Sequence, residues 1–399
     1  MLPFSYFQLV RRSTDLPTWC QFPHNLSATR VPCCLAFVPK HSNAPLGKRA
    51  VRMIEYSPEH FDALQTVAKC IGPHCNLGHR PFVDYYYASS DWCKLFMILA
   101  DDGSAIATIG LEKMPFQYDS QKIIIGFGSN FHSLRSGLGT YVFLHWQRSC
   151  SVGLVYGGSE ETHKIIRRQN WSFFTGVRYY EINKPYLPRP GQPKWRVAAK
   201  WVLRHTGRKK RISEYALRIP AKVAAKLSVR EERSFTHDLL PRRSSFRFRF
   251  APMPDYLNWR YNLTLSFVRY RLFRVLDEEK TVGYVILNDS PERILVAQCD
   301  GEDAQTLAYG ILLSILQAGH KDIKPRPVSL VCCHPEMQKI YKRFGFKKSG
   351  ADCPFALGPL GSNVRIDPDT SKWLVNLDWG DNALLDPLIG EVSPVVIAA

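Results

Sequence analysis

The chain lacks the features of membrane-spanning and disulfide-rich proteins. No apolar run in its 399 residues approaches the roughly 20 that cross a bilayer, so a transmembrane segment is not expected. Its 11 cysteines are an odd number and include no CxxC pair, and the doublets at 33–34 and 332–333 form no ladder of matching spacings. We therefore expect reduced thiols and a cytoplasmic location.

The first 50 residues lack acids other than Asp15 and lack an apolar core followed by a small-residue cleavage site. A secretory signal is therefore not expected. A basic, acid-poor start is compatible with a transit peptide or with an irregular arm, native or added. We favour the arm, because no amphipathic, arginine-rich helix stands out.

The formal charge of +18 is concentrated between residues 189 and 249, with basic runs at 208–211 and 242–243. Such a stretch attracts phosphate-bearing partners, including nucleic acid. A solvated connector between domains would carry the same charge, and we favour this interpretation, because a basic run alone does not define a docking geometry. Cys70, His74, Cys75 and His79 match no common zinc spacing, so we expect no bound metal.

Two segments about 175 residues apart share one pattern. Residues 160–171 and 334–346 each follow a short apolar run and precede a further strand. The length also exceeds what one core usually supports. We predict an α/β protein of two modules, each a mixed, mostly antiparallel sheet flanked by helices. The predicted ranges are an irregular arm (1–50), module 1 (51–184), a basic connector (185–245), module 2 (246–360) and a tail (361–399).

Module 1 follows the order βαβββαβαβ, with strands at 94–99, 106–114 and 123–127 and a last strand at 173–182. The Asp-Gly turn at 101–103 predicts a hairpin. Residues 72–93 are predicted to form a loop.

Module 2 repeats the order, with helices predicted at 304–318 and 335–344. The second of these has apolar residues at helical spacing, Pro335 in its first turn and Gly345 at its stop.

A glycine loop at 135–140, Arg-Ser-Gly-Leu-Gly-Thr, precedes a helix in module 1 only. Glycines let backbone amides approach a pyrophosphate, and the helix N-terminus adds a favourable field. The loop lacks the third glycine of a dinucleotide fingerprint, so a plain strand-to-helix turn remains the alternative.

With this context the chain resembles tandem bacterial proteins of the GNAT superfamily, which transfer acyl groups from acyl-CoA. The family loop, Gln/Arg-x-x-Gly-x-Gly/Ala, falls on residues 134–139, with the basic residue displaced to Arg135. The family helix, ending Leu-Tyr-x-x-x-Gly-Phe, falls on 159–171 and 334–346. Its tyrosine, which in many members protonates the leaving thiolate, is present only as Tyr341; packing in the core is the favoured alternative for this side chain.

The resemblance implies an N-acetyltransferase that uses acetyl-CoA and acylates an amine of a small molecule or sugar intermediate. It places the CoA diphosphate on Arg135, Ser136, Gly137, Leu138, Gly139 and Thr140, and the pantetheine arm on the amides near Asn130 and Phe131.

The residues themselves offer Glu112, His132, and His163 or Glu161 as candidate bases, of which we favour Glu112 and His132. The candidate acid, Tyr341, is implied only by the resemblance. Two alternatives stay open: a non-catalytic scaffold whose basic surface binds nucleic acid or an anionic envelope component, and a Fem-type tRNA-dependent aminoacyl transferase. The oligomeric state and the acceptor are not indicated.

Overall fold

The structure, a computed structural model, describes residues 8–9, 52–72, 75–158, 160–183, 195, 209–349, 353, 355–358 and 366–378. Its strands form two mixed sheets of nine and seven strands, with helices packed against them. This confirms the predicted fold class. None of the helices within these ranges has the length and apolar character needed to cross a bilayer.

The strands are β1 (Gln8–Leu9), β2 (Arg52–Glu55), β3 (Cys93–Leu99), β4 (Ala105–Tyr118), β5 (Gln121–Ser133), β6 (Val152–Tyr156), β7 (Ser172–Phe174), β8 (Arg178–Ile182), β9 (Leu227–Glu232), β10 (Phe248–Phe250), β11 (Tyr270–Asp277), β12 (Lys280–Asp289), β13 (Ile294–Gly301), β14 (Val328–Cys332), β15 (Lys347–Ser349) and β16 (Phe355–Gly358). The helices are α1 (Phe61–Ile71), α2 (Arg80–Ala88), α3 (Leu138–Arg148), α4 (Glu160–Arg168), α5 (Ala221–Ala224), α6 (Pro254–Arg260), α7 (Ala304–Ala318) and α8 (Pro335–Phe344).

The first sheet has the order β2-β3-β4-β5-β6-β16-β7, with β1 beside β5 and β10 beside β4. The second has the order β15-β8-β14-β13-β12-β11-β9. Both sheets are mostly antiparallel. The parallel pairs among the described strands are β1 with β5 and β5 with β6 in the first sheet, and β13 with β14 in the second. The pairs β5 with β6 and β13 with β14 occupy equivalent places in the two sheets. These two pairs matter for the site, because in both cases the two strands diverge after a few residues.

The two halves exchange strands. The predicted single strand at 173–182 is wrong: it is two strands, β7 and β8, separated by Gly176 with a positive φ of 90°. β7 stays in the first sheet, whereas β8 pairs with β14 of the second. In return β16, from the second half, lies between β6 and β7. The sheets are therefore composite, and the predicted module ranges remain sequence segments.

Three further segments differ from expectation. Residues 80–88 form α2 rather than a loop, and β5 extends to Ser133 rather than ending at residue 127. The described part of the predicted connector contains β9, which pairs with β11 at the edge of the second sheet. Residues 185–194 and 196–208 of that connector lie outside the described residues.

Helix α3 is fixed to the first sheet by aromatic packing. Its buried face presents Val142, Phe143 and Trp146, and each such side chain contributes roughly 1.5 to 3 kcal/mol on burial. A Cβ atom on Gly153 of β6 would lie 2.8 Å from Trp146 and 2.5 Å from Trp171. Glycine at 153 thus lets both indoles lie directly on the sheet. Their thickness sets the distance between the sheet and α3, and with it the position of the loop before α3.

Candidate functional site

The site begins where β5 and β6 diverge. They pair in parallel only from Ile125 to Phe127, opposite residues 152–154. β5 then continues to Ser133, while β6 pairs on its other side with β16. Among the described residues, the open edge of β5 is met only at residues 132–133, by β1. The sheet therefore opens along residues 128–131.

A β-bulge lies at this opening. Ser129 pairs with Gly110 and His132 with Thr108, so two residues of β5 face one residue of β4. Asn130, one of the two, has a positive φ of 44°. The extra residue changes the direction of the strand. The Asn130 carbonyl accepts a 2.8 Å hydrogen bond from the Thr108 hydroxyl.

Tyr87 of α2 holds the bulge from one face of the sheet. The Asn130 side-chain amide donates a 2.6 Å hydrogen bond to the Tyr87 hydroxyl, which lies 3.1 Å from the Ser129 hydroxyl in a second hydrogen bond. All three side chains are buried. Two successive β5 side chains thus bond to one tyrosine, an arrangement that only a bulge allows, since side chains of a regular strand alternate.

The glycine loop, residues 135–140, follows Leu134 and leads into α3. Gly137 has a positive φ of 84°, and no atom of the described residues lies within 4 Å of where its Cβ would be. Residues 135–137 and Thr140 are exposed. A Cβ on Gly139 would lie 3.4 Å from that of Ser133, an ordinary van der Waals contact. The bend is open, with its helix N-terminus unobstructed at Gly137.

The predicted cofactor-binding residues Asn130 and Phe131 lie in the bulge, and Arg135, Ser136, Gly137, Leu138, Gly139 and Thr140 lie in the loop and first turn of α3. The structure brings all eight to one end of the first sheet. Phe131 and Leu138 are buried and pack in the α3 core, so their contribution to a ligand would come from the backbone.

Glu112 is 1% exposed and lies in a buried hydrogen-bond network rather than an open cleft. Its carboxylate accepts hydrogen bonds from the Tyr86 and Tyr256 hydroxyls and a 3.0 Å bond from Arg260 Nε. The donors belong to α2 and α6. Glu112 therefore ties β4 to two helices, and this structural role accounts for its position without catalysis.

Arg260 extends this network to the C-terminal segment. Its Nη2 lies 3.0 Å from Asp378 Oδ2, and its guanidinium lies 5.0 Å from the Tyr86 ring centre. Burial raises the pKa of Asp378 to about 7, opposed by the charge of Arg260. We call Glu112, Arg260 and Asp378 the charge cluster.

His132 and Tyr341 occupy different cores. His132 is 2% exposed on β5, just past the bulge, and burial lowers its pKa to about 4, so its imidazole is neutral near pH 7. Tyr341 is 1% exposed in the core of the second sheet, and burial raises its pKa. The structure thus places His132 beside the glycine loop, whereas Tyr341 packs in the other core.

The second sheet has a matching opening that the chain itself fills. β13 and β14 pair only at residues 294–295 and then diverge. The Asn376 side chain bonds both the N–H and the C=O of Cys299, each at 3.1 Å, and the Asp378 amide donates to Ala297. The cavity left between residues 373–377 and this sheet is about 10 Å³, room for about one water.

At the N-terminus of α7, the Asp303 carboxylate accepts a 2.9 Å hydrogen bond from the Thr306 amide. A carboxylate therefore occupies the position where the first half has its open glycine bend. Within the part of the chain that the structure describes, the first half has free space at the start of its helix, whereas the second half has a capping carboxylate there.

The sequence analysis missed the residues that support the bulge. Tyr86 and Tyr87 lie on α2, which was predicted as loop. Pro81 in the first turn and the apolar spacing of Phe82, Val83, Tyr86 and Tyr87 were available signals for that helix. Arg260 and Asp378 carried no local signal, because their roles depend on contacts with β4 and with each other.

No protein-family model matches the sequence, and no curated protein matches it. Solved structures do. The chain is similar to a GCN5-related N-acetyltransferase from Anabaena variabilis, with 10% identity, 77% of this chain and 72% of that chain covered, and a TM-score of 0.49. A tandem GNAT protein from the clavulanic acid biosynthesis pathway is 11% identical, with coverages of 78% and 100% and a TM-score of 0.44.

Saccharomyces cerevisiae N-myristoyltransferase is 10% identical, with coverages of 94% and 97% and a TM-score of 0.49. At identities of 10 to 11%, these similarities concern the fold alone.

Proposed function

We propose that this chain is an acyl-CoA-dependent N-acyltransferase, with acetyl-CoA as donor and an amine of a small molecule or sugar intermediate as acceptor. The observation that carries the proposal is the open bend at Gly137, at the N-terminus of α3 and beside the divergence of β5 and β6. A scaffold protein has no need for such a bend.

The loop residues would hold the CoA diphosphate. The bare backbone at Gly137 allows close approach, the first amides of α3 carry partial positive charge, and Arg135 and the hydroxyls of Ser136 and Thr140 are exposed beside them. The edge of β5 at residues 129–131 would receive the pantetheine arm. A bound acyl-CoA would supply a thioester, whose acyl group an amine can accept.

The chain contributes mainly positioning. Fixing two reactants together can lower a barrier by roughly 7 to 11 kcal/mol in ideal geometry, so modest proton transfer suffices. His132 is the residue we assign to accept a proton, because it is neutral and lies beside the bulge. Catalytic roles for Glu112 and Tyr341 remain predictions.

Calorimetric titration with acetyl-CoA tests the proposal. We expect the wild-type chain to bind one equivalent and Gly137→Trp to give no heat, because the indole would fill the bend. Gly72→Trp is the matched control: Gly72 also has a positive φ, 114°, and open space around its Cβ position, but it ends α1.

Gly72→Trp should bind as the wild type does. The proposal is wrong if the wild-type chain gives no heat, or if Gly137→Trp binds as tightly as the wild type.

A further inference from the structure

A second cleft, of about 580 Å³, lies between α7 and α8. It is lined by Gln305 and Tyr309 of α7, by His334, Lys339 and Arg343 at α8, and by Ser371, among others. Its volume falls in the range of small-molecule sites. α7 and α8 follow β13 and β14 as α3 and α4 follow β5 and β6. This cleft, the α8 cleft, therefore lies beside the filled counterpart of the glycine-loop site and not within it.

The wall formed by α8 carries free positive charge. Lys339 and Arg343 are four residues apart on one helix face, exposed, and without a hydrogen-bonded or ionic partner in the part of the chain that the structure describes. Glu336 is the carboxylate of the same lining. The buried Nδ1 of His334 likewise has no partner among the described residues. Two exposed cations and one imidazole whose Nδ1 is unsatisfied among the described residues therefore border the cleft.

The α8 cleft does not suit an acyl-CoA. The channel that would hold a pantetheine arm is filled by residues 373–378, and the N-terminus of α7 is capped by Asp303. A ligand here must be compact and must place its negative charge against α8 rather than against the amides of α7. Tyr309, which is 8% exposed, and the half-buried His334 add two aromatic side chains to this lining, which a ring compound could contact.

We propose that the α8 cleft binds a compact phosphate ester of a ring compound, of the nucleoside monophosphate class. Lys339 and Arg343 pair with the phosphate, and the Tyr309 and His334 side chains contact the ring. Arg343 can bind two phosphate oxygens at once, whereas Lys339 acts as a point charge. The site is separate from the glycine-loop site and does not depend on acyl transfer.

Titration with AMP tests this site. Wild-type protein is first saturated with CoA, so that AMP cannot bind at the glycine loop. Loss of one charge-assisted contact should weaken AMP binding about tenfold in Lys339→Ala and in Arg343→Ala. Lys342→Ala is the matched control, because Lys342 is exposed on the same helix but does not line the cleft. Its affinity for AMP should equal that of the wild type.

Inorganic phosphate should compete with AMP but bind more weakly, since it lacks the ring. The proposal is overturned if AMP binds more weakly than about 1 mM, if Lys342→Ala loses as much affinity as Lys339→Ala, or if phosphate alone binds as tightly as AMP. The same titration in Gly137→Trp without CoA separates the two proposals. AMP binding that survives there and requires Arg343 supports the α8 cleft even if acyl-CoA binding fails.

Discussion

Replacing Glu112 by glutamine should destabilise the fold, because the charge cluster is buried and depends on this carboxylate. Glu112 accepts hydrogen bonds from two tyrosines and from Arg260, which is 2% exposed. Glutamine keeps one acceptor but turns an NH₂ group toward donors and leaves Arg260 with one partner, Asp378. Breaking a buried ion pair from one side costs about 3 to 5 kcal/mol, and we expect a loss of that size.

Guanidinium unfolding followed by tryptophan fluorescence measures this loss. Glu278→Gln is the control, because Glu278 is 76% exposed and lies 3.9 Å from Lys226, and such a change should stay within about 0.5 kcal/mol. The double variant Glu112→Gln/Arg260→Gln should lose less stability than the sum of the single variants, since each single change leaves its partner unpaired.

The opposite pattern would refute this reasoning. If Glu112→Gln unfolds at the wild-type midpoint but loses acyl transfer, the carboxylate acts in catalysis as the sequence analysis predicted, and the structural account of the charge cluster is wrong.

Three further outcomes are expected. Burial raises the pKa of the Asp300 carboxyl to about 7, above its usual 3.8. The contribution of this group to the free energy of unfolding is therefore present below about pH 4 and is lost as the pH rises through 7. In Asp300→Asn the free energy of unfolding should depend less on pH over this range. Tyr341→Phe should change kcat by less than about threefold, because this hydroxyl lies in the core of the second sheet. A tenfold fall in kcat would require the loss of about 1.4 kcal/mol of transition-state stabilisation. Tyr87→Phe leaves the Asn130 amide and Ser129 hydroxyl without that partner, which should cost about 1 to 3 kcal/mol on unfolding and raise KM for acyl-CoA more than it lowers kcat. An unchanged KM in Tyr87→Phe would show that the bulge does not position the cofactor.

Local signals predicted much of the fold. The helices expected at 304–318 and 335–344 have those bounds in the structure. Apolar spacing, Pro335 in the first turn and Gly345 at a positive φ of 122° determine the second helix within its own segment. The glycine loop could be found for the same reason, because its glycines and the following helix are adjacent in sequence.

Features that depend on pairing between distant segments could not be predicted from local sequence signals. A bulge is a difference in the number of residues between two paired strands. The sequence around Asn130 therefore does not predict it unless the pairing of β4 with β5 is known. β8 pairs with Val328–Cys332 of β14 and β16 pairs with Val152–Tyr156 of β6, both distant in sequence, and neither strand carries a local signal for the sheet that it joins. Glu112 was predicted as a base for the same reason: its partner Arg260 lies 148 residues away.

Amide hydrogen exchange with and without acetyl-CoA tests the central claim most directly. The account predicts slower exchange in peptides covering residues 129–141 and unchanged exchange in those covering 301–309, because only the first half presents an open bend. Unchanged exchange at 129–141, or protection at 301–309 instead, would contradict it.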